Sequence, residues 1–348
     1  MQFSIKMIRR MIENEQEDVM NIRKRTLLAA AAVLVSGIAT SGIAQAQQKP
    51  VVIYTAHISA IVDKLIPAFE KETGLKAEVV KLGSGDVAKR AKAEAGKPAA
   101  DVIWSISGSV LTELAPILEP YAPKDSDKIN KNLVGSPAWT PYTSVVYVLA
   151  VNTSMTPLKD APKSWAELTD PKWKGQIASA RADNSGSALQ QMQGVLTIFG
   201  DDGWNKYNQM AKNFVLTDSS GAVSRFVADG ETSLGLTLED NALQYVVGGA
   251  PVSIVHLTDG TILSPDGVAL VKGGPNTEGG KKFLDWALSK TTQETLVKEI
   301  GRRSVRTDVN GPAGLPNLTD LKIVSLKSIA DLGGQEALLA KWRTATGQ

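Results

Sequence analysis

The stretch with the clearest chemical potential is residues 183–189, which read Asp-Asn-Ser-Gly-Ser-Ala-Leu. It follows an apolar, strand-like stretch at residues 175–180 and opens into a helix-like pattern. The start of a helix presents free backbone N–H groups at the positive end of its dipole, and small hydroxyls beside them suit an anion. The candidate residues are Asn184, Ser185, Gly186 and Ser187. Because these residue types are also the usual helix caps, the stretch is either a cap alone or an anion site with Asp183 as the cap.

Other predicted strands also end in small polar residues. Strands predicted at residues 49–55, 76–82 and 100–104 alternate with helices at 57–73 and 87–94, which favours a parallel α/β sheet. Ligands of open α/β sheets bind beyond the carboxyl ends of the strands. The residues predicted to line such a site are Thr55, His57, Ser84, Ser105 and Ser107. Three such loops in the first sixty residues after the leader predict a small-molecule site.

The middle of the chain, about residues 150–265, repeats this arrangement. Its candidate ligand-binding residues, beyond those of the stretch at 183–189, are Ser219, Ser220, Glu239 and Asp240. The two acids could accept hydrogen bonds from ligand hydroxyls or pair with a ligand ammonium, or they could only cap a helix. Two α/β lobes facing a cleft are expected, with lobe 1 at residues 47–148 and 266–348 and lobe 2 at 149–265. Strands near residues 145 and 268 are predicted to be the two crossings between the lobes.

The first 46 residues read as a secretory signal peptide. A basic start at residues 23–25 precedes a short Ala- and Leu-rich stretch, and the exit Ala-Gln-Ala ends at Ala46. The apolar stretch is too short for a convincing membrane span. Residues 1–19 contain both acidic and basic side chains, and this mixture does not suit the start of a signal peptide. We therefore expect translation to start at Met20. Export to the periplasm by the Sec pathway, with cleavage near Ala46, is predicted.

The composition excludes several classes of function. The leader holds six of the 38 bases and four of the 36 acids, so the remaining chain has 32 of each and no net charge. No basic run indicates nucleic-acid binding. There is no cysteine, which excludes disulfides and thiolate metal sites. His57 and His256 are isolated, and neither a Walker A run nor a G-x-S-x-G elbow is present, so an enzyme is not expected.

Four stretches resemble the extracellular solute-binding proteins of bacterial ABC importers, in the branch that includes ferric-iron binders. They are Val-Val-Ile-Tyr-Thr-Ala-His at residues 51–57 with Ile-Pro-Ala-Phe-Glu-Lys-Glu-Thr-Gly-Leu-Lys at 66–76, Pro-Ala-Ala-Asp-Val-Ile-Trp at 98–104, residues 164–178, and residues 267–276 running into 281–284. Together they span most of the chain in the family's order. The resemblance implies the type II periplasmic binding fold, in which two α/β lobes joined by a two-strand hinge close on a ligand.

The resemblance leaves two ligand classes open. Ferric binders of this branch use adjacent tyrosines in the second lobe, with a histidine that His57 matches. The tyrosines should follow residues 234–237, where this chain has Leu238-Glu239-Asp240-Asn241. Without phenolates, no metal site is predicted, and His57 lines the cleft or is structural. Related members bind sugar phosphates or phosphonates, which suit the serines and helix starts better. We therefore predict capture of a phosphorylated sugar or a phosphonate, with ferric iron or an iron chelate as the alternative.

The predicted partners follow from this role. They are a small anionic ligand and an ABC permease in the inner membrane, while nucleic acid and cofactors are not expected. The protein is predicted to be a monomer. A solute sensor that feeds a membrane receptor would have the same sequence features.

Overall fold

The computed structural model describes residues 49–133 and 135–348. The predicted signal peptide, residues 1–46, lies outside the described residues. Within the described residues, no helix has both the length and the apolar character that a bilayer crossing requires.

Twelve strands of the described chain join in one mixed sheet. They are β1 (Val51–Thr55), β2 (Ala77–Lys81), β3 (Val102–Ser107), β4 (Leu118–Glu119), β5 (Thr140–Asn152), β6 (Ile177–Ala180), β7 (Phe214–Thr217), β8 (Leu234–Leu238), β9 (Val252–Val255), β10 (Thr261–Val271), β11 (Arg303–Ser304) and β12 (Ile323–Val324). The α-helices of the same residues are α1 (Ser59–Thr73), α2 (Ser84–Ala93), α3 (Gly108–Leu114), α4 (Gly186–Phe199), α5 (Gly203–Ala211), α6 (Ser220–Ala228), α7 (Glu239–Val247), α8 (Thr277–Ala287), α9 (Lys290–Thr295) and α10 (Gln335–Thr346).

The sheet order β2-β1-β3-β10-β5-β8-β6-β7 divides the molecule into two lobes. In lobe 1, β1 pairs in parallel with β2 and β3, as the sequence predicts. In lobe 2, β6 pairs in parallel with β7 and β8. The long antiparallel strands β5 and β10 lie between them: the first half of β5 pairs with β10, and its second half pairs with β8 and β9. This is the two-lobed type II arrangement with a two-strand hinge.

Each lobe has an apolar core. In lobe 1, the spacing of apolar residues along α1 explains how this helix packs on the sheet. Ile61, Leu65 and Phe69 recur every fourth residue and are all fully buried, so they form one apolar stripe against the sheet. Phe69 packs edge-on against Phe283 at 5.0 Å between ring centroids. The helix ends at Gly74, whose positive φ of 71° suits a left-handed cap.

The C-terminal helix α10 packs on lobe 2. Leu338 and Trp342 are buried within the apolar cluster that contains Trp165 and Met192 of that lobe. The sequence-based division assigned all of residues 266–348 to lobe 1. The difference arises because the amphipathic pattern of α10 indicates an apolar face without indicating which lobe covers it.

Candidate functional site

A cavity of about 690 Å³ lies between the two lobes. Nine of the thirteen predicted site residues line it: His57, Ser84, Ser105, Ser107, Asn184, Ser185, Ser187, Ser219 and Ser220. They come from the ends of β1, β3 and β6 and from the starts of α2, α4 and α6. Residues far apart in sequence are therefore brought together, and their role in ligand binding stays a prediction.

The other four predicted site residues lie behind the cavity wall. Thr55 is fully buried, and its Oγ1 accepts the backbone N–H of His57 at 3.1 Å. Gly186 packs so closely on lobe 1 that a Cβ there would lie 2.8 Å from Ser107 Oγ. Glu239 and Asp240 are buried at the start of α7 and are not among the residues that line the cavity.

Helix α4 begins at the cavity in lobe 2. Its N-cap is Ser185, whose Oγ accepts the N–H of Ala188 at 3.3 Å. The prediction that Asp183 caps this helix is wrong, because its carboxylate pairs with Arg181 at 2.9 Å. Because Ser185 satisfies the third N–H of the helix, the first two, on Gly186 and Ser187, have no intrahelical acceptor. Of these two residues Ser187 lines the cavity, so its N–H is available to an anion at the positive end of the helix dipole.

Two further helices present the same kind of start. Ser219 caps α6 and accepts the N–H of Ala222 at 3.2 Å. In lobe 1, α2 begins at Ser84 without a side-chain cap. The serine hydroxyls of these helix starts line the cavity beside those of Ser105 and Ser107. The cavity wall therefore contains several hydroxyls of the kind that can donate to phosphate oxygens, although that of Ser105 already donates to Asp266.

Helix α7 differs, because its own acids neutralise its positive end. Glu239 Oε2 accepts from Arg303 Nε at 2.7 Å, and Oε1 shares a 2.7 Å hydrogen bond with His256 Nε2. Burial alone would raise the pKa of Glu239, but these hydrogen bonds outweigh it and hold the pKa below its ordinary value. Asp240 accepts from Arg302 Nη1 at 2.8 Å. Both acids are therefore held in buried ion pairs, and their contact with a ligand stays a prediction.

His57 sits at the lobe 1 side of the cavity and is 4% exposed. Its ring packs edge-on against Trp104 at 4.5 Å and Tyr142 at 5.7 Å between centroids. Burial, and secondarily the charge of Arg302, hold the pKa of His57 well below its ordinary value, so the imidazole is neutral. Within the described chain its Nε2 has no hydrogen-bond partner. A buried polar atom without a partner is rare in folded proteins, and this one belongs to a residue of the cavity wall.

The charged residues of the cavity wall are ones that the sequence reasoning missed. They are Lys81, Asp218, Arg225, Asp266 and Arg302. Lys81 and Asp266 lie within strands, Arg225 lies within a helix, and the other two lie between elements. Scattered charges at such positions usually face solvent, so no local signal distinguishes them. Arg302 and Arg303 are adjacent in the sequence, as are Glu239 and Asp240. This match could have suggested that the two arginines form ion pairs with the two acids.

The ferric-iron alternative would require side chains that can hold a metal ion. Among residues 49–133 and 135–348, no three His, Cys, Asp or Glu side chains are placed to hold an ion together. The tyrosine that lines the cavity is Tyr245, and its partial burial raises its pKa, which disfavours the phenolate that ferric iron prefers.

Comparison with known proteins gives relatives of the same overall length. An uncharacterised protein of Haemophilus influenzae strain Rd is 29% identical over 93% of this chain and 98% of its own. A Salmonella typhimurium periplasmic protein named for 2-aminoethylphosphonate binding is 27% identical over 70% of this chain and 73% of its own. The periplasmic binding protein AfuA of Actinobacillus pleuropneumoniae, solved with exogenous fructose-6-phosphate bound, is 26% identical. It covers 86% of this chain and 98% of its own with a TM-score of 0.79.

The family model of the bacterial extracellular solute-binding proteins matches residues 50–299. That range contains all the residues that line the cavity except Arg302, and it includes both hinge strands. The chain therefore belongs to the bacterial extracellular solute-binding proteins, which capture ligands in the periplasm for ABC transporters.

Proposed function

We propose that this protein captures a small organic anion with a phosphate or phosphonate group in the cavity between its lobes and delivers it to an ABC permease. The observation that carries the proposal is the convergence of the starts of α2, α4 and α6, with their serine hydroxyls, on one cavity. Phosphate oxygens suit such a site because unpaired N–H groups, hydroxyls and helix dipoles all favour an anion.

The relatives support the same class of ligand. The fructose-6-phosphate complex of AfuA and the name of the Salmonella relative both concern a phosphorus oxyanion on a small organic molecule. Capture by a monomer in the periplasm, after removal of the signal peptide, completes the proposed role. Ferric iron is the alternative ligand, and Tyr245 alone does not offer the paired phenolates that such a site requires.

A thermal-shift screen tests the ligand class. The purified protein is heated with glucose 6-phosphate, 2-aminoethylphosphonate, inorganic phosphate or ferric citrate. A ligand at 100 times its Kd stabilises the folded state by about 2.7 kcal/mol, which corresponds to a rise in Tm of roughly 5 °C for a chain of this size. We expect such a rise with a phosphate or phosphonate. A rise with ferric citrate alone, accompanied by a visible phenolate-to-iron absorption band, would show that the alternative is correct.

The substitution Ser185→Asp tests the location of the anion. Aspartate caps helices as well as serine does, so α4 should still form, but a carboxylate would face the anion. We expect at least a 100-fold loss of affinity, about 2.7 kcal/mol, in calorimetry with the ligand that gives the largest shift.

The matched control is Ser289→Asp. Ser289 caps α9 by accepting the N–H of Thr292 at 3.3 Å, and it does not line the cavity. This variant should bind as the parent does. Equal affinity of Ser185→Asp and the parent protein would remove the start of α4 from the site.

A further inference from the structure

The two lobes contact each other on the hinge side of the cavity, where α7 meets residues 300–303. Residues 300–303 belong to lobe 1, because Ile300 is buried in the same apolar cluster as Val51 of β1. Helix α7 belongs to lobe 2, since it directly follows β8 and its Ala242 is buried in the same cluster as Val227 of α6. Any contact between these two segments is therefore a contact between the lobes.

Two adjacent ion pairs form this contact. Arg302 Nη1 donates to Asp240 Oδ2 at 2.8 Å, and Arg303 Nε donates to Glu239 Oε2 at 2.7 Å. All four side chains are at most 6% exposed, so salt and water screen the two pairs only weakly. A buried charge is costly when its partner is removed, so both pairs favour the one arrangement of the lobes that brings them together.

Uncharged groups at the same place pack closely. Gln244 Nε2 donates to the carbonyl oxygen of Ile300 at 2.6 Å. A Cβ on Gly301 would lie 2.2 Å from Leu243 Cδ2, so this side of α7 packs directly on the backbone of residues 300–303. A movement of the lobes that separates these segments would therefore break the packing and the ion pairs together.

Arg302 connects this contact to the hinge and to the cavity. Its Nη2 donates to Asp266 of β10, and its Nε donates to Thr143 Oγ1 of β5 at 3.0 Å, so the guanidinium contacts both hinge strands. Arg302 also lines the cavity. One buried arginine therefore joins lobe 2, the hinge and the wall of the cavity.

A second buried arginine of the same segment makes similar ion pairs within one lobe. Arg306 is 4% exposed and pairs with Asp125 at 2.9 Å and with Asp308 at 2.8 Å. The segments that carry these three residues pack on the lobe 1 core. Each arginine serves two carboxylates, but one of the partners of Arg302, Asp240, lies in the other lobe.

We propose that Arg302 and Arg303 form a clasp with Asp240 and Glu239 and hold the lobes closed, also when no ligand is bound. The ligand-free protein then exchanges between an open form and a closed form, and the clasp sets the ratio of the two. A closed fraction that exists before binding raises the apparent affinity for any ligand that binds the closed form. Because the clasp is made by the protein alone, this inference does not depend on the class of ligand.

Distances between spin labels on the two lobes test the clasp. The chain has no cysteine, so Lys89→Cys in lobe 1 and Lys212→Cys in lobe 2, both at exposed positions, provide the two thiols for labelling. Lys89 lies on α2, whose first turn contacts lobe 2 at the edge of the cavity, so opening should lengthen the distance. Pulsed electron paramagnetic resonance of the ligand-free protein then gives the ratio of short to long distances.

The decisive variant is Asp240→Asn in the labelled protein. Arg302 keeps Asp266 as its counterion, so this change leaves no buried cation unpaired. Since a hydrogen bond to a charged group contributes about tenfold or more to an equilibrium, and the amide retains part of it, we expect the ratio of short to long distances to fall at least fivefold. Glu239→Gln makes the same comparison at the second ion pair and serves if Asp240→Asn folds poorly.

The matched control is Asp308→Asn, because Arg306 likewise keeps one carboxylate, Asp125. Its ratio of distances should stay within about twofold of that of the parent, even where urea unfolding shows a similar loss of stability for both variants. Equal ratios in Asp240→Asn and Asp308→Asn would overturn the clasp, and so would a parent protein that shows long distances alone. The test uses no ligand, so either result leaves the proposed function standing.

Discussion

The pairing of acids and arginines around α7 shows how a residue acquires its role from its partner. Glu239 and Asp240 are adjacent to each other and to no base in the sequence, so a ligand-contacting role and a capping role were equally consistent with their types. The structure supplies Arg303 and Arg302 from more than sixty residues away. Only the tertiary fold brings these pairs together, and no local pattern encodes it. The serines, by contrast, could be predicted because capping residues follow strands in a recognisable order.

Loss of the Asp266 carboxylate should raise the stability of the ligand-free protein. Burial raises the pKa of Asp266 despite the opposing effect of Arg302, so the folded protein holds the proton more tightly than the unfolded chain does. Ionisation therefore costs stability, and this cost develops as the pH rises from about 3.9, the unfolded value, through the folded pKa. We expect ligand-free Asp266→Asn to be more stable than the parent at pH 7, with the difference shrinking towards pH 4.

Denaturant unfolding of both proteins from pH 4 to pH 7 checks this expectation. Asp308→Asn serves as a comparison with the opposite sign. Arg306 donates a hydrogen bond to Asp308 at 2.8 Å and lowers the pKa of this carboxyl, so its ionised form stabilises the fold above the unfolded pKa. A stability difference between Asp266→Asn and the parent that does not change with pH would show that the buried charge of Asp266 is already compensated.

At the scale of elements, the ends of the helices and strands were harder to predict than their order. Helix α2 was expected from residue 87 and begins at Ser84, so the Gly83–Gly85 turn becomes the helix start itself. Strand β10 was expected near residue 268, and it begins at Thr261. Its first half was harder to predict because it contains the polar run Ser264-Pro265-Asp266. The short β7, Phe214–Thr217, was not predicted. Apolar periodicity identifies helices and strands that pack against apolar neighbours. It does not identify the start of α2 or the first half of β10, whose neighbours are polar.

Helix α4 packs closely on the hinge strand β10 because Gly194 has no side chain. A Cβ there would lie 2.0 Å from Ile262 Cδ1 of β10, and Ile262 is fully buried and cannot turn away into solvent. Helix propensity alone predicts that Gly194→Ala stabilises the protein by up to about 1 kcal/mol. The clash predicts the opposite, a loss of about 1–3 kcal/mol. We expect the loss, measured as a lower free energy of unfolding in denaturant.

The double variant with Ile262→Ala identifies the cause. Removing the side chain beyond Cβ leaves the nearest Ile262 atom 3.6 Å from the new Cβ, so Gly194→Ala should cost nothing in that background. An equal loss in both backgrounds would mean that the glycine serves something other than the contact with β10.

At the scale of the whole molecule, the two lobes touch each other directly at the edge of the cavity. The N–H of Gly85 in lobe 1 donates to the carbonyl of Asn184 in lobe 2 at 3.1 Å, and Gln190 Nε2 donates to Ser109 Oγ at 2.9 Å. Residues of the predicted anion site thus also form the contact between the lobes. The two-lobed fold was predictable from the alternation of strands and helices, whereas this contact depends on backbone atoms and leaves no pattern in the sequence.

Closure of the lobes should therefore fail in Gly85→Ala. A Cβ at this position would lie 2.2 Å from the carbonyl oxygen of Asp183, a backbone atom that cannot move aside cheaply. Alanine suits the first turn of α2 at least as well as glycine, so lobe 1 should fold normally. We expect affinity for the best phosphonate or phosphate ligand to fall at least tenfold, about 1.4 kcal/mol, because each binding event must now displace one lobe.

Small-angle scattering with and without ligand separates a closure defect from a lost contact. In the parent protein, saturating ligand should reduce the radius of gyration, whereas Gly85→Ala should stay near its ligand-free value. Gly96→Ala is the control, since a Cβ there meets nothing within 4 Å and its φ is not in the left-handed region.

If Gly85→Ala bound weakly yet contracted as fully as the parent does, the glycine would matter as a ligand contact, and closure would not depend on the contact between Gly85 and residues 183–184. If Gly85→Ala bound and contracted like the parent, the lobes would not need this contact at all.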